Sequence, residues 1–159
     1  MRHGKAQAAD SAAGDDGRAL TTKGKDEIVS AAQWMESRGY TFDLIATSPK
    51  KRARQTADIV AAALGLKDRV AVWDALGASG DLDTICWNLG QCDDNKTVLI
   101  VGHEPTLSML ISRIISGTDD TAIVMAKGGL AKIRDYSFVQ RPSGRLQWLL
   151  TPKQMTGPA

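Results

Sequence analysis

Two rhythms of apolar residues run along this chain. From residue 22 to residue 37, Ile28, Ala31, Ala32 and Met35 recur at spacings of three and four, which predicts a helix with one buried face; Arg38-Gly39 supplies its stop. Residues 42–47 are a short apolar, partly β-branched run and predict a buried strand. Ser48 then reads as a helix N-cap with Pro49 at the first helical position. That helix runs to Leu64 with Ala53, Ala57, Val60 and Leu64 inward, and Gly65 ends it. Residues 70–73 predict a strand, and residues 81–89 a helix with Leu82, Ile85 and Leu89 on one face. Residues 97–101 are the clearest buried strand, followed by a helix over 105–115 buried through Leu107, Leu110, Ile111 and Ile114. Residues 129–136 and 145–151 predict a closing hairpin, with Ser143-Gly144 as its turn. Residues 10–17 read as a mobile loop, and the tail from Pro152 as frayed.

Strands alternating with helices predict an α/β protein, a three-layer α/β/α sandwich with a mainly parallel sheet. Ligands in such sheets bind outside the carboxyl ends of the strands. Both the segment 48–52 and His103 follow strand ends, so the pattern places them on one edge. The 159 residues suit one domain, taken as 1–152 with a flexible tail over 153–159. A chain of this size buries roughly two-thirds of its unfolded surface and needs no covalent staples.

Composition removes several classes of function. Hydrophobic residues make up 43% and charged residues 24%, ordinary values for a globular protein, and a net charge of +2 is too small to argue for nucleic acid. The one dense basic run, Lys50-Lys51-Arg52-Ala53-Arg54, divides between a solvated helix face and a functional role for Arg52; Arg54 reads as surface. Cys86 and Cys92 are six apart, which matches no metal or redox spacing, and both read as reduced thiols. No run reaches the roughly 20 apolar residues of a membrane span, and no apolar signal core opens the chain. The expectation is a cytoplasmic protein with neither membrane nor nucleic acid as partner.

The candidate chemistry rests on the only two histidines. His3 lies in Arg2-His3-Gly4, where an imidazole nucleophile would have an arginine beside it and a glycine to admit a phosphate closely. Arg52, about one turn past Ser48, can fork onto an anion near a helix N-terminus, where the dipole favours negative charge. His103, in Gly102-His103-Glu104-Pro105, stands at a strand-to-helix turn where a donor imidazole can stabilise the equatorial oxygens of five-coordinate phosphorus.

Four motifs occur in order: Arg2-His3-Gly4, then Leu20-Thr21-Thr22-Lys23-Gly24, then Ser48-Pro49-Lys50-Lys51-Arg52-Ala53-Arg54-Gln55-Thr56, then Gly102-His103-Glu104-Pro105. Together they resemble the histidine phosphatase superfamily, the phosphoglycerate-mutase-like proteins, over nearly the whole chain. The short length and the Arg-His-Gly-Lys-Ala opening are most similar to the SixA-type phosphohistidine phosphatases. The resemblance implies that His3 is the nucleophile and carries a phosphohistidine intermediate. It implies that Arg2 and Arg52 grip phosphoryl oxygens, that His103 completes the pocket, and that Gly4 belongs to the binding set. No metal and no cofactor are implied. The implied substrate is a phosphohistidine-bearing phosphotransfer or phosphocarrier domain.

Two further candidates are Ser48 and Asp74. Larger relatives that cleave phosphoesters carry a general acid in the region after the second arginine motif, and Asp74 is the nearest carboxylate there. A protonated phosphoramidate nitrogen leaves readily and has less need of such an acid. The alternatives left open are a broader phosphomonoester phosphatase using Asp74 and a truncated, inactive phosphate-binding domain.

The chain departs from the family in one respect. Family members lead into Arg-His-Gly through an apolar strand inside the sheet, between the strand before the second histidine and the one over 129–136; here Met1 alone precedes Arg2. The expectation is two neighbours with unpaired edges, at about 1–3 kcal/mol for each buried orphan group, and Met1 as an internal methionine of a longer chain.

Overall fold

The computed structural model describes residues 1–8, 14–77, 80–93 and 95–157. Helix α1 spans Thr22–Ser37 and is opened by Thr21, whose side chain accepts from the Gly24 amide. Strand β1 is Leu44–Thr47, helix α2 Lys51–Ala63 and strand β2 Val70–Val72. Helix α3, Leu82–Gly90, is capped by Asp81 through the Thr84 amide. Strand β3, Val98–Val101, leads into helix α4, Thr106–Ser116, which ends on the left-handed Gly117.

Strands β1, β2 and β3 are parallel, in the order β2-β1-β3. The register of β1 on β3 sets Thr47 beside Val101, so both strands finish on one level. Helices α1 and α2 cover one face: Ile28, Ala31, Met35, Ala57 and Val60 pack with Ile45 and Leu99 in one cluster. Helices α3 and α4 cover the other, where Ile85, Leu89, Leu110 and Ile114 pack with Ala46 and Leu76. This is the expected three-layer sandwich. It follows from the helical periodicity, because each helix has one apolar stripe and a parallel sheet has two faces to cover.

The two closing strands, β4 (Leu130–Ser137) and β5 (Ser143–Leu150), form an antiparallel pair of their own. The expected turn at Ser143-Gly144 is displaced: both residues lie in β5, and residues 138–142 make the connection. Gly144 is a packing glycine. A Cβ there would come within 2.8 Å of Ile114 Cγ2 and 2.9 Å of Ile133 Cγ2, so its missing side chain admits α4 rather than reversing the chain.

Residues 1–3 join the two sheets. The Met1 nitrogen donates to Ile100 O (2.6 Å), Gly102 N to Met1 O (3.2 Å) and His3 N to Gly102 O (3.0 Å), while Arg2 N donates to Gly129 O (2.9 Å). Arg2 thus bridges Gly102 in parallel sense. Beside Met1, an apolar cleft is lined by Val98 and Ile100 of β3, Leu110 of α4, and Ala131 and Ile133 of β4. Among the described residues no other strand pairs with β3 on that side.

The tail differs from the frayed expectation. Pro152–Thr156 form helix α5, with a reciprocal capping box between Thr151 and Gln154. Met155 is buried in the α1 cluster. A single apolar residue on a five-residue helix carries too little periodicity to be read from sequence. The end of that tail, 158–159, lies outside the described residues, as do positions 10–13 of the expected loop.

Candidate active site

The parallel register brings three chain segments to one edge. Ser48 follows β1, Gly102-His103 follows β3, and His3 lies beside Gly102; the Ser48 amide closes the edge by donating to Val101 O (3.0 Å). The rings of His3 and His103 are 4.9 Å apart, centroid to centroid, tilted by 55°. Both side chains are buried, as are Ser48, Lys50 and Arg52.

His3 is held from two sides. Its Nδ1 lies 2.7 Å from Gly4 O. A carbonyl oxygen only accepts, so Nδ1 carries the hydrogen. Burial pushes its pKa down to about 4, helped by the cations Arg52, Arg2 and Lys127 and opposed by the Gly4 bond. The ring is therefore neutral near pH 7, and its Nε2 bears a lone pair. Arg52 Nε donates towards that atom at 3.3 Å.

Gly4 holds His3 in turn. The Gly4 amide donates to Thr56 Oγ1 (3.1 Å), and Thr56 donates to Arg52 O (2.8 Å), which ties the His3 segment to α2. A side chain at Gly4 would meet Ile28 Cγ1 at 2.8 Å. Gly24 is tighter: a Cβ there would fall 2.1 Å from Lys5 O, so the Thr22-Lys23-Gly24 turn of α1 lies directly on the backbone after His3.

His103 Nε2 lies 2.8 Å from Ser48 Oγ, and Ser48 Oγ also accepts from the Lys50 amide (3.2 Å). Burial, then the charges of His3, Arg52 and Lys50, lower the His103 pKa to about 3. Its Nδ1 is buried without a hydrogen-bond partner among the described residues, and so is Arg2 Nε. Arg2 Nη1 is anchored on Met125 O at 2.7 Å.

The Histidine phosphatase superfamily (branch 1) model matches residues 1–77, which contain His3 and Arg52. The chain is 34% identical over 136 residues to an uncharacterized protein of Picosynechococcus, covering 84% of this chain and 82% of that one. It is 28% identical over 154 residues to the phosphohistidine phosphatase SixA of Escherichia coli, covering 96% and 91%. A solved structure of SixA complexed with tungstate superposes with a TM-score of 0.84 at 28% identity, over 96% of this chain and 94% of that one.

The chain belongs to the histidine phosphatase superfamily.

Within this phosphatase family's fold, the structure gathers Arg2, His3, Gly4, Ser48, Arg52 and His103 on one edge. Two of them sit otherwise than the sequence pattern implies. Ser48 does not cap α2: the helix begins at Lys51 with Lys50 as its uncapped flanking residue, and the Ser48 hydroxyl turns to His103. Arg52 is accordingly the second helical residue, nearer the helix end than one turn. Asp74 stands apart. It is exposed in a short 3₁₀ turn, Asp74–Leu76, beyond β2, with no hydrogen bond or ion pair to His3, Arg52 or His103.

Asp15 and Lys50 were not legible as site residues. Asp15 lies in a turn over 14–17, inside the segment expected to be a mobile loop, yet its carboxylate meets Lys50, Arg52 and Arg18. Lys50, expected on a solvated face, is buried against it. Arg54 is exposed, as its place on α2 suggests. The Asp15-Asp16-Gly17 sequence signals a turn, but no local pattern pairs it with a lysine 35 positions on.

Proposed function

We propose that this phosphatase removes phosphoryl groups from protein phosphohistidine through a phosphohistidine intermediate on His3. The observation that carries the reading is the unprotonated Nε2 of a neutral His3, facing the Nε–H of Arg52 and 4.9 Å, ring to ring, from His103. Its likeness over 96% of the chain to the phosphohistidine phosphatase SixA supports the substrate class. So does the position of Asp74. Asp74 is exposed and makes no hydrogen bond or ion pair with either imidazole, which suits a leaving group that can take its proton from solvent, as a phosphoramidate nitrogen does more readily than an ester oxygen.

In the first step His3 Nε2 attacks phosphorus, the bond from phosphorus to the substrate imidazole breaks, and that imidazole takes its proton from solvent. Arg52 and Arg2 spread the charge of the equatorial oxygens, and His103 donates to one of them. For His103 to donate, its free Nδ1 must carry the hydrogen. Ser48 arranges this by donating its hydroxyl hydrogen to Nε2 while accepting from the Lys50 amide. In the second step water attacks the phosphorus on His3, the bond to Nε2 breaks, water's proton passes to solvent, and phosphate leaves. Each group is in place before charge develops, so the contribution is positioning and preorganised charge.

The test measures phosphate release from a phosphohistidine-bearing protein and from p-nitrophenyl phosphate, with His3→Ala alongside and circular dichroism to report folding. The expected outcome is release from phosphohistidine, slow release from the ester, and loss of both in His3→Ala. Equal efficiency on the two substrates would overturn the substrate assignment.

A further inference from the structure

Arg52 is used on two edges, and only one of them faces His3. Its Nη1 donates to Asp15 O (2.7 Å) and its Nη2 to Asp15 Oδ2 (3.1 Å), while Nε points to His3 Nε2 (3.3 Å). The outer fork of the guanidinium is thus closed by one residue through backbone and side chain together. Asp15 is itself fixed. Its carboxylate takes a hydrogen bond from the Lys50 ammonium, and Arg18 Nη1 donates to Oδ1 at 2.9 Å. Lys51 N donates to Asp16 O (3.1 Å), and Arg18 Nε to Gln7 O (2.8 Å), so the 14–18 turn is pinned to both α2 and the strand-like segment after His3.

We propose that Asp15 is a positioning residue for catalysis: by occupying the outer fork of Arg52 it aims the guanidinium's Nε edge at the phosphoryl group on His3. The inference rests on the reading of His3 and Arg52 given above. An arginine side chain has large rotamer entropy, and a second-row carboxylate removes it before substrate arrives. The guanidinium offers five N–H donors in a rigid plane. Three of them are taken by Asp15 and His3, which leaves one further donor on the Nε side for a phosphoryl oxygen. Lys50 acts through the same carboxylate and balances its charge, so that Asp15 does not repel the incoming anion. Hydrogen bonds from Lys50, then from Arg18 and Arg52, hold the Asp15 carboxyl well below the usual carboxylate range.

The experiment compares Asp15→Asn, Asp15→Glu and Asp16→Asn in the full chain. Asp16 is the control, since it lies on the same turn and carries the same charge, but its carboxylate pairs only at 3.4 Å with Lys50 and makes no hydrogen bond or ion pair with Arg52; its side chain is 85% exposed. Three readouts are taken: kcat and KM for phosphohistidine hydrolysis, the affinity for inorganic phosphate by calorimetry, and the ¹⁵Nε–¹H signal of Arg52 by NMR. The expectation for Asp15→Asn is a loss in kcat/KM on the order of 10- to 100-fold, the scale of a misplaced catalytic group. Phosphate affinity should weaken and the Arg52 signal broaden. Asp15→Glu should recover part of each, and Asp16→Asn should match the parent protein. Equal values for Asp15→Asn and Asp16→Asn would overturn the proposal, as would lost activity with phosphate affinity and the Arg52 signal unchanged. If the parent chain binds phosphate yet leaves phosphohistidine intact, the substrate assignment fails, while phosphate affinity and the Arg52 signal still decide the role of Asp15.

Discussion

Ser48 Oγ and His103 Nε2 lie 2.8 Å apart, joining the residue after β1 to the residue after the β3 edge, 55 positions along the chain. Ser48 was expected at a helix cap and instead governs an imidazole. Replacing it by alanine leaves Nε2 buried and unpaired, at about 1–3 kcal/mol for the orphaned group. It also frees His103 to place its hydrogen on either nitrogen. Ser48→Ala is expected to lower kcat about tenfold with a small change in KM, the signature of an interaction made in the transition state. Steady-state kinetics on the phosphohistidine substrate checks it, and Ser48→Thr, which keeps the hydroxyl, should recover activity if it packs.

His3→Ala should abolish a covalent intermediate as well as turnover. Acid-labile, base-stable phosphate on the protein after rapid quench is expected in the parent chain and absent from the variant. The fall in kcat should be on the order of 10³-fold or more, as for other nucleophile deletions. Retention of the label in His3→Ala would place the nucleophile elsewhere.

The two imidazoles make stability and activity depend on pH in a defined direction. In the native state the pKa of His3 is about 4 and that of His103 about 3, against 6.5 for the free side chain. Below 6.5 the unfolded chain binds more protons than the native one, so stability falls as pH falls. Their contribution is complete above about pH 7, declines between 6.5 and 3, and flattens below. Urea midpoints measured from pH 8 to pH 4 should show that decline, and the His3→Ala, His103→Ala pair should flatten it. The nucleophile should stay neutral through pH 6; a His3 imidazole that titrates near 6.5 in an NMR pH series would contradict its burial.

Gly24 couples the first turn of α1 to the segment that carries His3. A Cβ placed 2.1 Å from Lys5 O meets backbone that cannot rotate away. Gly24→Ala is expected to cost about 1–3 kcal/mol or more, the range for overpacking, and to displace His3. Denaturation curves and kinetics should both move. The contrast is Gly39→Ala, which has open space but a φ of +69° and should cost stability without changing kcat.

Asp74→Asn should change kcat/KM less than about twofold on phosphohistidine, within the range of surface substitutions away from a site. Asp74 is exposed and makes no hydrogen bond or ion pair with the two histidines or Arg52. A large drop confined to p-nitrophenyl phosphate would instead make it the acid for ester cleavage.

How far the sequence could be read depended on the range of each interaction. Helix α1 is found at the residues its periodicity predicts, and β3 and α4 within a residue, because burial of one face is written in each segment itself. The hairpin turn was misplaced because Gly144 looks the same in sequence whether it turns the chain or packs under Ile114. The tail was misread because Met155 is buried by α1, a segment more than a hundred residues away.

The same division holds at the site. Four short motifs sufficed to single out His3, Arg52 and His103, since each needs a particular side chain at a strand or helix end and that placement is local. The tautomer of His3 followed only when Gly4 O was found 2.7 Å from Nδ1. The role of Ser48 required the β1–β3 register, and Asp15 required the fold to carry a turn from the first twenty residues onto the start of α2. Local propensity and burial pattern are properties of a segment and survive in its sequence. Hydrogen-bond direction and the aim of a guanidinium depend on distances between segments, and those exist only after the chain has packed.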